Sequence, residues 1–308
     1  LLLIDGNKAA TVQQCGAWLV HTSIMNRAFR QERQRESLMT NRLFINTVLL
    51  GGTSEQKIAA AGAAGFDQVE LWRDDVESSV DGAAGVVRAL HAAGVGLTDF
   101  QVLLDFDGAP GDRRADQRQE ALRMLDTAVQ VGATTLLVPA STDAECDPDR
   151  IVDDLVWLSQ QAAARGLRIA YEAMAWSTVN HTTPLAWRTV QLANQPNLGL
   201  VIDAFHIFAR SRDASDLDGI PADRIHLVQL SDLDHRVAQD DVVNTARHRR
   251  LLPGAGYFPI ASLVQRLRAI GYAGPVGLEV FNDEMKACDP VAVAREAMAA
   301  LQACWPGD

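Results

Sequence analysis

The sequence holds no apolar run long enough to span a bilayer, no closely spaced cysteines and no surplus of positive charge. The first absence excludes a transmembrane helix, which needs about 18 or more consecutive apolar residues. Cys15, Cys146, Cys288 and Cys304 lie far apart and form no C-x-x-C. Reduced thiols in a cytoplasmic protein are therefore expected. The formal net charge of −11 argues against a nucleic-acid partner, because phosphate binding needs basic surface. A small-molecule partner is left as the expectation, with no membrane contact, and self-association is left open.

Apolar residues make up 48% of 308 residues, enough for one large α/β barrel with a buried core. Residues 1–38 read differently. They are polar, carry Arg27, Arg30, Arg33 and Arg35, and lack the h-region and cleavage site of a secretory signal. Met39 reads as the natural start, with 1–38 a non-native or flexible extension and 39–308 the catalytic barrel. The alternative is a native arm that packs on the barrel. From Met39 onward 23 basic and 36 acidic residues give a charge of −13.

Strand-like and helix-like segments then alternate, the pattern of parallel α/β architecture. Strands are expected at 43–49, 68–71, 96–100, 135–138, 168–171, 198–202, 225–228 and 276–278. Helices are expected at 54–64, 82–93, 115–131, 150–165, 184–193, 260–270 and 290–303, with a short one after His206. Glycines at helix ends, as in Ala64-Gly65-Phe66 and Val131-Gly132-Ala133, suit left-handed C-caps. Eight such units predict a single (β/α)₈ TIM barrel with its site at the strand C-terminal face. Ser231–Pro259 reads as one long irregular loop on that face, and long loops there are usually functional.

Four of the apolar runs end in an oxygen-bearing side chain: Glu172, Asp203, Gln229 and Glu279. Taken singly, each can cap a loop or pair with an arginine. Together they would crowd one end of a barrel, and convergent carboxylates repel unless a cation or proton sits between them. Three carboxylates and an amide oxygen suit Mg²⁺, Mn²⁺ or Co²⁺ better than Zn²⁺, which favours nitrogen and sulfur. His206, three residues after Asp203, is placed to act as a base, with a ligand or orienting role as the alternative. Glu70 ends the second strand and is the other catalytic candidate, or else a buried structural carboxylate. Arg247, His248 and Arg250 form a basic cluster suited to clamping a substrate carboxylate. Tyr171 and Trp176 read as wall residues.

These residues resemble the xylose-isomerase-like barrel superfamily of sugar isomerases and epimerases, and within it the bacterial 3-dehydroshikimate dehydratases. The resemblance covers roughly residues 42–305. It rests on Ala170-Tyr171-Glu172-Ala173-Met174-Ala175-Trp176, on Gly199 to Ile207, on Val228-Gln229-Leu230-Ser231-Asp232, on the loop from Arg247 to Gly256, and on Gly277 to Asp283. Glutamine at the third ligand position is telling, because many relatives have histidine there. Two departures stand out. The family's Gln-Pro-Phe-Arg-Asp-Phe-Glu-Gly is Gln101-Val102-Leu103-Leu104-Asp105-Phe106-Asp107-Gly108 here, and the serine before Arg-His is Ala246. Either change can weaken or alter substrate binding. Some relatives also carry a C-terminal dioxygenase-like domain.

The resemblance implies metal-dependent dehydration of 3-dehydroshikimate, a hydroxylated carboxylate, to protocatechuate through a metal-stabilised enolate. A sugar or inosose isomerase using the same enolate is the alternative. A metal-dependent nuclease of this barrel type would need more histidine ligands and a basic surface, which the charge opposes. A non-catalytic sugar-acid binding protein would require a buried His206 unable to reach ligand.

Overall fold

The computed structural model describes residues 41–238 and 240–307. The extension expected at residues 1–38 lies outside them. Among the described residues, eight parallel strands close into a barrel in sequence order: β1 Leu43–Asn46, β2 Gln68–Trp72, β3 Gly96–Gln101, β4 Thr135–Pro139, β5 Arg168–Glu172, β6 Leu198–Asp203, β7 Ile225–Leu230 and β8 Val276–Leu278. Strand β8 pairs with β1 to complete the ring, so no sheet edge is left for another chain to extend. Among the described residues no helix is long and apolar enough to cross a membrane.

The helices fall where the periodicity places them. Ser54–Ala64 begins at Thr53, whose hydroxyl accepts from Gln56 N while the Gln56 side chain accepts from Thr53 N, a reciprocal cap that satisfies two orphan donors. The helix ends at Gly65 with φ +87°, a conformation a Cβ would strain. The first expected strand is too long: Asn46 caps a 3₁₀ turn over Thr47–Leu49 by accepting from Val48 N. Three short helices escape the sequence reading: Arg73–Ser78, Val242–His248 and Asp283–Lys286. The second falls inside the segment expected to be irregular.

Side chains alternate along each strand, and two apolar layers result. Outward residues such as Ile45, Val69, Leu136, Ile169, Leu200 and Val228 pack against the helices in one continuous core. Inward, Phe44, Val102, Leu137, Ala170, Val201 and Leu227 fill the barrel. Gly277 makes room for the largest of them, because a Cβ there would overlap the Phe44 ring and carbonyl. Gly277→Ala should destabilise the fold by about 1–3 kcal/mol through overpacking. Urea denaturation measures this, and an unchanged midpoint would show that the interior has slack.

Candidate active site

Two residues beyond the inward apolar layer, the same alternation returns a polar layer to the barrel axis. Asn46 follows Phe44, Glu172 follows Ala170, Asp203 follows Val201, Gln229 follows Leu227 and Glu279 follows Gly277. Glu70 faces the same way on β2, opposite Asn46 in the register, and Asp203 stands opposite Gln229. All are buried. The strands thus deliver a ring of carboxylates and amides at their C-terminal ends, where barrels of this kind carry their chemistry.

The ring is bonded as a network. Arg250 Nη1 donates to Asp203 Oδ2 at 2.8 Å and to Glu279 Oε2 at 3.1 Å. Asn46 Nδ2 donates to Glu279 Oε1 at 3.0 Å and to Glu70 Oε2 at 2.7 Å. Gln229 Nε2 donates to Glu70 Oε1 at 2.7 Å, and Gln101 Nε2 lies 3.5 Å from Glu279 Oε1. Two buried oxygens are left over: Glu172 Oε1 and Gln229 Oε1 have no hydrogen-bond partner. Buried acceptors without donors are costly, and both oxygens of Asp99, buried beside Glu70, share that condition.

Charge crowding shows in the proton affinities. Burial, then Glu279 and Asp203, push Glu172 well above the usual carboxylate range. Burial likewise raises Glu279 to about 7, against the opposing pull of Arg250. Glu70 is raised by burial and then by Asp99, which is equally buried and lies against it. Two carboxyl groups can face each other there only with a proton between them. Burial works against the charge of Arg250, but Asp203, Glu279 and Glu172 outweigh it and hold the guanidinium above its ordinary pKa. Its plane lies over Phe205 at 4.5 Å and Phe281 at 5.2 Å.

His206 occupies a helical turn that starts at Asp203, whose Oδ1 caps it through Phe205 N at 2.8 Å. Its Nδ1 accepts from Ala175 N at 3.1 Å, and Trp176 meets the ring edge-on at 5.0 Å. Burial lowers its pKa to about 4, so the ring is neutral near pH 7. With Nδ1 accepting, the proton sits on Nε2, the atom 3.5 Å from Asp203 Oδ2 and 3.7 Å from Glu172 Oε1. The mouth therefore receives an N–H rather than a lone pair. His206 nonetheless brings a ring nitrogen within 4.8 Å of potential ligand oxygens of Glu172 and Asp203. Each oxygen of Glu70 accepts one amide N–H, from Asn46 and from Gln229.

The basic cluster separates. Arg250 is buried and committed to Asp203, Glu279 and, through Nε, the Ala246 carbonyl at 2.9 Å. A two-pronged clamp on a substrate would cost it those bonds. Arg247 is exposed, and His248, also exposed, sits 2.9 Å from Asp283 Oδ2 through Nδ1. The segment that delivers Arg250 is organised by Asp232. Its carboxylate accepts from the backbone N–H groups of Leu233, Gly254, Gly256 and Phe258 at 2.8–3.0 Å.

A family model described as "Xylose isomerase-like TIM barrel" matches residues 58–304. The chain belongs to this family. It is 37% identical over 260 residues to a 3-dehydroshikimate dehydratase of Pseudomonas aeruginosa, covering 83% of this chain and 40% of that protein. A solved "xylose isomerase-like TIM barrel/4-hydroxyphenylpyruvate dioxygenase fusion protein" superposes with TM-score 0.82 at 34% identity, over 86% of this chain and 42% of the other. The chain thus spans about two-fifths of these longer relatives. The fold is also that of the IOLI protein solved with a zinc atom, at TM-score 0.76 and 20% identity, over 85% of this chain and 97% of that one.

Asn46, Asp99, Gln101 and Asp232 escaped the sequence reading of the site. Asn46 carried a usable signal: it is a polar residue inside the apolar run from Leu43 to Leu50, on the parity of Phe44. Asp232→Ala would orphan four backbone N–H groups at once. The expected loss is about 3 kcal/mol or more, read from urea denaturation, and a loss within about 0.5 kcal/mol would show that the segment is held by other contacts.

Proposed function

We propose that this barrel dehydrates 3-dehydroshikimate to protocatechuate with a bound divalent cation. The observation that carries the reading is the pair of buried, unpartnered oxygens, Glu172 Oε1 and Gln229 Oε1, in the same mouth as Asp203 and Glu279. Glu172, Asp203 and His206 also bring potential ligand atoms within 4.8 Å of one another. Because His206 turns an N–H to that cluster, the oxygen set of Glu172, Asp203, Gln229 and Glu279 would hold the ion, with Mg²⁺, Mn²⁺ or Co²⁺ suited to it. The zinc of the IOLI protein is consistent with a divalent ion in this fold. The similarity to 3-dehydroshikimate dehydratases supports the substrate.

The bound cation would supply Lewis-acid polarisation of the ketone. The chain's own residues supply the rest. The C4 proton is acidified by the C3 ketone, and Glu172 is the group assigned to take it, on the carboxylate oxygen that single-oxygen ligation of the cation would leave free. Glu172 Oε1 has no hydrogen-bond partner, whereas Asp203 and Glu279 are held by Arg250. The C5 hydroxyl, β to the ketone, leaves as water with the proton Glu172 took from C4, and transfer of a C6 proton to the C3 oxygen gives the aromatic ring. His206 presents Nε2–H to a substrate oxygen, which it can hold but not deprotonate. Arg250 balances the carboxylates. The ring carboxylate falls to Arg247, exposed on the helix just before Arg250.

The direct test is incubation of the purified chain with 3-dehydroshikimate, read by ultraviolet absorbance of the aromatic product. Chelation should abolish turnover and Mn²⁺, Mg²⁺ or Co²⁺ restore it. Full activity in a demonstrably metal-free preparation would end the metal reading, and absence of aromatic product from metal-loaded protein would end the dehydratase reading.

His206→Asn should lower kcat by about 10²–10³-fold, the range for loss of one positioned donor. The acid limb of the kcat/KM profile against pH should survive, because another group titrates there. Disappearance of that limb in the variant would return the base role to His206.

A further inference from the structure

The Gln229 amide can sit either way round, and only one way offers an oxygen to a cation. A chain of hydrogen bonds selects it. Val48 N–H donates to Asn46 Oδ1 at 3.0 Å, so the Asn46 amide cannot turn over without losing its backbone cap. Its Nδ2 is thereby directed to Glu70 Oε2 and Glu279 Oε1. Glu70 then offers its other oxygen to Gln229 Nε2 at 2.7 Å. Gln229 Oε1 is left buried and without a partner.

We infer that Asn46 and Glu70 are positioning residues, which transmit the direction of a main-chain N–H across the barrel and hold Gln229 oxygen-first toward the mouth. The inference rests on the reading that Gln229 ligates a cation. It gives Glu70 a role in holding metal and none in moving the substrate's proton. Asn46 has a second effect, because the same Nδ2 fixes Glu279, so one amide orients two members of the oxygen set. Groups that orient ligands in this way typically change metal affinity by about 10–100-fold.

Glu70→Gln is the informative variant, since it keeps shape and removes one acceptor. Asn46 Nδ2 still requires an oxygen, so the new amide turns its NH₂ toward Gln229. Two donors then face each other, and Gln229 must turn over, presenting an NH₂ that has no lone pair for a metal. Adding Gln229→Glu to this variant repairs the arrangement: a carboxylate accepts from the new amide with one oxygen and keeps the other toward the mouth whichever way it rotates.

The experiment is Mn²⁺ titration calorimetry on the purified wild-type chain, on Glu70→Gln and on the Glu70→Gln/Gln229→Glu pair, with melting temperature as the control for folding. The expected result is a Kd raised about 10–100-fold in the single variant and restored by at least roughly tenfold in the pair. An unchanged Kd with lowered kcat in Glu70→Gln would overturn the inference and make Glu70 a proton-transfer group, while the metal reading stands. A pair no tighter than the single variant would also overturn it. Should the single variant not fold, the pair alone decides: Mn²⁺ binding near the wild-type Kd supports the relay, and loss of binding refutes it. A wild-type chain that binds no Mn²⁺ would remove the metal reading and this inference together.

Discussion

Mutual repulsion among buried carboxylates is the constraint from which the rest of this barrel mouth follows. Glu70, Asp99, Glu172, Asp203 and Glu279 are all withdrawn from water, where neighbouring negative charges are costly. Three of them have a local remedy. Asp203 and Glu279 share one nitrogen of Arg250, whose guanidinium is kept in place by two aromatic faces. Glu70 takes two amide donors and lies against Asp99. Neither Glu172 Oε1 nor either oxygen of Asp99 has a donor, and the imidazole N–H that approaches Glu172 stands 3.7 Å away. Among the strand-end ligand set of Glu172, Asp203, Gln229 and Glu279, the unmet demand falls on Glu172 Oε1 and Gln229 Oε1, which is what a cation-binding reading requires.

The barrel was legible because short apolar runs alternate with longer segments, several of which end in glycine, and the helices at Ser54–Ala64 and Gly82–Ala93 match their expected bounds. The four strand-end oxygens were legible for the same reason, since each breaks an apolar run at the same depth. The partners were not. Asn46 and Gln101 are amides inside or beside apolar stretches, and nothing in their neighbours announces that they donate to residues up to 233 positions away. The protonation of His206 was hidden more deeply. It depends on the backbone N–H of Ala175, a group every residue but proline carries, so no residue identity encodes it. Arg250 stands at the mouth, but it is buried and bonds the protein's own carboxylates, Asp203 and Glu279, which its place in a basic run did not announce.

The family assignment establishes a scaffold, and such a scaffold hosts several chemistries. The case for dehydration therefore lies in the mouth and in the dehydratase similarity together. The matched relatives extend well beyond the region this chain covers, and the site described here is built from the barrel strands and the segments that follow them, short helices included.

Loops of α/β barrels ordinarily absorb insertions and deletions, which lets one scaffold diversify. The segment after β7 is an exception. Asp232 gathers N–H groups from positions 233, 254, 256 and 258 onto one carboxylate, and Asp232 and Leu251 exchange backbone hydrogen bonds within the same span. Adding or removing a residue between Leu251 and Phe258 would put that spacing out of step and shift the support of the adjacent Arg250. Length variation within the family is therefore expected to collect elsewhere, with this span holding its residue count wherever the buried arginine is kept.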